Sequence, residues 1–182
     1  SEHGFGHTES MVSMTRAAEA AGAEAVIRVP SSERTNILRA LDVGASGVLI
    51  PQVNSKEEGE HAAAAAYYPP DGIRGLAFSV RAAHYGLLKP DEYLKVAREE
   101  TLVCVQVETQ KAINEMEGIA SVPLIDVIFV GPTDLSMNLG LPGQLGHPKV
   151  EQAIDRIFEA TLDAGKIPAI LANDPPTAEK WM

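Results

Sequence analysis

Five short apolar runs rich in β-branched residues recur along the chain: "AEAVIRVP", "GVLIPQV", "TLVCVQVE", "IDVIFVGP" and "IPAILA". Segments of helical character separate them. "TESMVSMTRAAEAAG" ends at Gly22, "SSERTNILRALDVGA" opens on capping residues and ends in glycine, and "NSKEEGEHAAAAAYYPP" offers Asn54 or Ser55 as a cap, with Pro69 and Pro70 beyond its end. "DEYLKVAREE", "TQKAINEMEGIAS" and "HPKVEQAIDRIFEATLDAGK" are predicted as further helices, and "PPTAEKWM" as the start of another. Strong helix formers beside a charged start make the alanines from Ala62 to Ala66 part of an ordinary packed helix. Helices alternating with apolar strands imply an α/β fold, a parallel sheet covered by helices.

Residues 71–90, "DGIRGLAFSVRAAHYGLLKP", break the rhythm and predict a long loop with short helical pieces. Within it, Arg74, Arg81, His84 and Tyr85 are candidates to face a site, with nothing in the sequence to choose among them.

Regularly spaced strands fit either an open doubly wound sheet or part of a (β/α)₈ barrel. No glycine-rich dinucleotide fingerprint follows any strand, whereas polar residues recur at the strand C-terminal ends: Arg28, Gln52, Glu108 and Asp134. Chemistry drawn from several strand ends is the habit of the barrel, which takes about 250 residues. With 182 residues, the expectation is a single domain over 1–182 that forms an incomplete TIM barrel, an internal piece lacking the first strands and the last.

A formal net charge of -10 disfavours nucleic acid and anionic membrane as partners. No apolar run approaches the roughly 18 residues of a membrane span, and no signal segment is legible at the start, so the chain reads as cytoplasmic. The single cysteine, Cys104, lies in an apolar run and reads as a small buried hydrophobe rather than a reactive thiol.

In "VQVET" and "VGPTDLS" a carboxylate, Glu108 and Asp134, follows an apolar strand closely. Two such charges at neighbouring strand ends are most simply reconciled by a divalent cation. Oxygen donors without thiolate or clear histidine partners suggest Mg²⁺ or Mn²⁺ rather than zinc, with Co²⁺ also accepted. The competing reading makes each acid a helix cap. Arg28 in "VIRVP" either forms a surface ion pair or hydrogen-bonds an oxyanion or carboxylate. His3, in a glycine-rich setting, is suited to acid or base work near neutral pH. His61 reads as exposed on a helix, His147 as a helix start, and Lys111 and Lys166 as solvated helix residues, which argues against a Schiff-base enzyme.

Taken in order, "SEHG", "VIRVP", "LDVGASGVLIPQV", "YYPPDGIRG", "VQVET", "VGPTDLS" and "HPKV" resemble the HpcH/HpaI aldolase family, metal-dependent class II pyruvate aldolases related to citrate lyase β-subunits and macrophomate synthase. The resemblance implies a (β/α)₈ barrel, a homo-oligomer of hexameric type with exchanged C-terminal helices, and reversible aldol chemistry joining pyruvate, a 2-oxo acid, to an aldehyde. It implies metal ligation by Glu108 and Asp134, and places Arg28 beside the keto oxygen. His3 corresponds to the catalytic histidine, whose acidic orienting partner would stand immediately before Ser1. Gln106 corresponds to a polar lining residue, Thr133 and Asp134 to the amides that hold the pyruvate carboxylate, and Leu171 to an apolar residue against the substrate. The alternatives are a citrate lyase-like C–C lyase acting on acyl-CoA esters and a binding-only remnant.

Overall fold

A computed structural model describes residues 8–181. Five strands, β1 (Val26–Arg28), β2 (Gly47–Ile50), β3 (Leu102–Val107), β4 (Val127–Val130) and β5 (Ile167–Ile170), form one sheet in the order of the sequence. Every neighbouring pair is parallel. A doubly wound sheet reverses its strand order partway and puts helices on both faces. This sheet never reverses, so the expected barrel architecture holds: it is an arc of a (β/α)₈ wall.

The two faces of the arc differ. Val48, Ile50, Val103, Val105, Val107, Ile128 and Val130 point to one face, and all are fully buried beneath helices. Burying one such side chain is worth roughly 1.5–3 kcal/mol, so this layer carries the core. The alternate positions, among them Arg28, Leu49, Cys104, Gln106 and Phe129, are brought side by side on the other face by the strand register.

The covering helices are α1 (Thr8–Ala20), α2 (Arg34–Asp42), α3 (Lys56–Ala66), α4 (Pro90–Glu100), α5 (Gln110–Asn114), α6 (Met116–Ala120), α7 (Pro132–Asn138), α8 (Pro148–Asp163) and α9 (Pro175–Lys180). In α8 the buried residues Val150, Ala153, Ile154, Ile157 and Thr161 recur at helical spacing along one stripe. Ser55, one of the two expected caps, starts α3 by accepting from Glu58 N at 3.2 Å, while Glu58 Oε2 accepts from Asn54 N at 2.8 Å.

Two expectations need correction. "TQKAINEMEGIAS" is not one helix: the backbone turns at Glu115 (φ −105°, ψ 13°), separating α5 from α6. The turn lets Ala112 and Ile113 of one piece and Met116 and Ile119 of the other all reach the core. Lys166 is not on a helix either. It follows Gly165 at the approach to β5, where its Nζ donates to Ile125 O at 2.6 Å and burial lowers its pKa.

Candidate active site at the strand ends

Residues at the C-terminal ends of parallel strands project over the rim of the sheet, where several strands converge on one volume. Here Arg28 ends β1, Gln52 lies two residues beyond β2, Glu108 directly follows β3, Gly131 to Asp134 follow β4, and Leu171 follows β5.

Two chambers open on this rim and share Asp134. The inner, about 270 Å³, is lined by Arg28, Leu49, Gln106, Phe129, Thr133 and Leu171, together with Gly131 and Pro132. The outer, about 440 Å³, is lined by Gln52, Glu108, Thr109, Asp134, Met137 and Asn138. Thus Arg28, Gln106, Thr133, Asp134 and Leu171 line one chamber, and Glu108 joins Asp134 in the next. His3 and His7 lie outside the described residues.

The helix-cap reading of the two acids does not hold. The cap of α5 is Thr109, whose Oγ1 accepts from Ala112 N at 3.0 Å. Asp134 sits inside the first turn of α7, whose cap position is Gly131 rather than the acid. Thr109 also donates to Asn54 Oδ1 at 2.5 Å, which ties the loop after β3 to the loop after β2.

Glu108 is 3% exposed and Gln106 2%. Two residues apart on a strand and its extension, they share a face, and Gln106 Nε2 donates to Glu108 Oε2 at 2.5 Å. Gln106 Oε1 is buried without a hydrogen-bond partner among the described residues, an acceptor available to a group entering the inner chamber. Gly131 lies directly against this pair. A Cβ placed there would overlap both Glu108 Oε2 and Gln106 Nε2. Glycine is required so that the carboxylate and amide can occupy that space.

The donor set fits a hard divalent cation. Its oxygens come from Glu108 and Asp134, and among the described residues no cluster of three or more His, Cys, Asp or Glu side chains gathers to form a closed cage. Two carboxylates leave coordination positions to water and substrate, as open oxygen sites do. Cys104 takes no part: burial, reinforced by the Asp126 carboxylate, pushes its thiol up to about 11.

The loop 71–90 does not face this rim. Arg74 is 4% exposed, bonds Asp42 Oδ1 at 2.9 Å and lies over the Tyr68 ring at 4.6 Å. Arg81 donates to Val43 O at 2.8 Å and pairs with Glu19. With His84, these arginines border a cavity of about 490 Å³ that also touches Gly44 to Ser46, just before β2, at the opposite end of the strands. Tyr85 is 62% exposed, and His84 and Tyr85 both adopt left-handed backbone (φ 48° and 56°). His61 is exposed on α3 and His147 caps α8, as expected. Among the rim residues that the sequence does not single out are Leu49, Phe129, Met137 and Gly131, and the need for close approach at Gly131 appears only once β3 and β4 are adjacent.

The HpcH/HpaI aldolase/citrate lyase family profile matches residues 7–180. Over 181 residues the chain is 36% identical to the 5-keto-4-deoxy-D-glucarate aldolase of Shigella boydii serotype 18, matching 100% of this chain and 70% of that protein. A crystal structure of an HpcH/HpaI aldolase/citrate lyase family protein from Burkholderia cenocepacia superposes with a TM-score of 0.94 at 38% identity, over 99% of this chain and 72% of the other. Macrophomate synthase superposes at 0.77 with 26% identity, over 92% of this chain and 60% of its own. An arc of barrel wall with two acids, an arginine and a glutamine at its strand ends, matched almost from end to end, places this chain in the HpcH/HpaI aldolase/citrate lyase family of carbon–carbon lyases.

Proposed function

We propose that the chain carries the catalytic rim of a metal-dependent aldolase that reversibly cleaves 4-hydroxy-2-oxo acids, including 2-keto-3-deoxy sugar acids, to pyruvate and an aldehyde. The supporting observation is the shared wall: Asp134 borders both the chamber that contains Arg28 and the chamber that contains Glu108. The aldolase name of the Shigella boydii relative supports the same reaction class.

A Mg²⁺, Mn²⁺ or Co²⁺ ion held by Glu108 and Asp134 would supply Lewis acidity toward a keto oxygen. Arg28 would hydrogen-bond the negative charge that develops on that oxygen, where a fixed fork in a partly buried site acts most strongly. The backbone amides of Thr133 and Asp134, in the first turn of α7, would hold the acid's carboxylate. Leu171 and Phe129 give the methyl end an apolar wall, and Gln106 fixes the Glu108 carboxylate. Proton transfer with the aldehyde oxygen is assigned to His3, on the strength of the "SEHG" motif. The assignment extends to residues 1–182 as one catalytic domain in a cytoplasmic homo-oligomer of hexameric type. Among the described residues no helix is long and apolar enough to cross a membrane, and the exposed Met14 and Leu87 offer apolar surface to a second copy.

The test is loss of the pyruvate methyl proton signal in D₂O, with and without Mg²⁺ or Mn²⁺. Metal-dependent exchange that falls at least about 100-fold in Glu108→Ala and in Asp134→Ala is expected. Exchange indifferent to metal, or retained in both variants, overturns the assignment.

A further inference from the structure

We propose that Gln52 is a specificity-determining residue that hydrogen-bonds the hydroxylated, aldehyde-derived half of the substrate. This rests on the aldolase reading and concerns the half of the molecule that reading leaves open.

The outer chamber contains few polar groups with capacity to spare. Thr109 Oγ1 is occupied by Ala112 N and Asn54 Oδ1. Asn138 Oδ1 accepts from Gln110 N at 2.7 Å, which leaves its Nδ2 as a donor but no free acceptor of the kind Gln52 offers. Glu108 and Asp134 are the carboxylates of the cation site, and Met137 is apolar. The Gln52 side chain is exposed and forms no hydrogen bond within the described residues, so both its amide donor and its acceptor are available to a ligand.

Its backbone is held for this position. Gln52 has a φ of 57°, a left-handed conformation that costs a non-glycine residue about 1–2 kcal/mol. Flanking bonds maintain it: Asn54 Nδ2 donates to Gln52 O at 2.6 Å, Val53 N donates to Gln106 O at 3.1 Å, and Asn54 is itself tied to Thr109. The same clamp that joins the β2 and β3 loops therefore fixes where the amide projects.

The division of the rim sets which part of a substrate meets it. The chamber with Arg28, Leu49, Phe129 and Leu171 suits a compact 2-oxo acid with an apolar methyl end. A chain extending past the carboxylates enters the outer chamber, where a free amide matches hydroxyl groups on successive carbons. An aldehyde without hydroxyls would leave that amide facing an apolar chain and bind less well.

The experiment uses Gln52→Gly, which suits the left-handed backbone while deleting the amide, alongside Gln52→Met, which keeps the length without the hydrogen bonds. Condensation of pyruvate with glyceraldehyde and with propionaldehyde is measured as kcat/KM, each rate referred to that protein's own pyruvate exchange in D₂O. The preference of the parent protein for glyceraldehyde should fall about tenfold in both variants, mainly through KM for the aldehyde. An unchanged preference ratio in variants that still exchange pyruvate overturns the role of Gln52. Absence of metal-dependent exchange in the parent protein instead overturns the aldolase reading beneath it.

Discussion

The two ends of the same parallel strands use similar residues to opposite effect. At the N-terminal end, the charged groups around the loop 71–90 pair largely with one another, although the buried Arg74 Nε finds no acceptor among the described residues. Arg74 is spent on Asp42 and the Tyr68 ring, and Arg81 on Glu19 and a carbonyl. At the C-terminal end, Glu108 and Asp134 line one chamber, Gln106 keeps a buried acceptor available and Gln52 a whole amide. The difference teaches that burial of a charged group does not by itself mark a site: Arg74 is packed between an acid and a ring, whereas Glu108 and Asp134 border an open chamber.

The contrast can be broken by substitution. Arg74→Ala should be the most costly change to the fold, about 3 kcal/mol in urea unfolding, because it strands Asp42 and empties the space over Tyr68. If pyruvate exchange per folded molecule falls as well, the N-terminal end takes part in the chemistry and the contrast fails. Gly131→Ala should do the reverse. Its Cβ displaces Glu108 and Gln106, so metal affinity by calorimetry should drop about 10–100-fold, with little change in unfolding. Loss of stability without loss of affinity would make Gly131 a folding residue.

The smallest effect concerns Cys104, which lies between the two ends. Its thiol keeps a proton in the folded chain up to about pH 11, higher than in an unfolded one, so the group's contribution to stability is present at neutral pH and lost as pH rises toward 11. Alkylation at pH 8 should be slow in the folded protein and fast in urea; equal rates would show that the inner face is open to reagent.

Much of the scaffold is legible in the sequence because strand and helix periods differ and each chain segment keeps to one of them. Arg28, Glu108 and Asp134 are legible for the same reason, since each stands near the end of an apolar run. Other features depend on residues far apart. The Asn54–Thr109 bond joins positions 55 residues apart, and the close approach at Gly131 exists only when β3 and β4 are neighbours. The arginines of the loop 71–90 read as site candidates because nothing local shows that Asp42 and Glu19 await them. The break at Glu115 has no glycine or proline to announce it; the demands of packing on both sides impose it.

The adjacency of Glu108 and Thr109 has a consequence for how this rim can change. One residue lines the chamber, and the next starts the helix. A substitution at 108 therefore alters what the site can do without removing the bond that begins α5, and the same separation holds between Asp134 and the cap position of α7. New reactions can be tried on this framework one position at a time, each trial leaving the architecture that presents it intact.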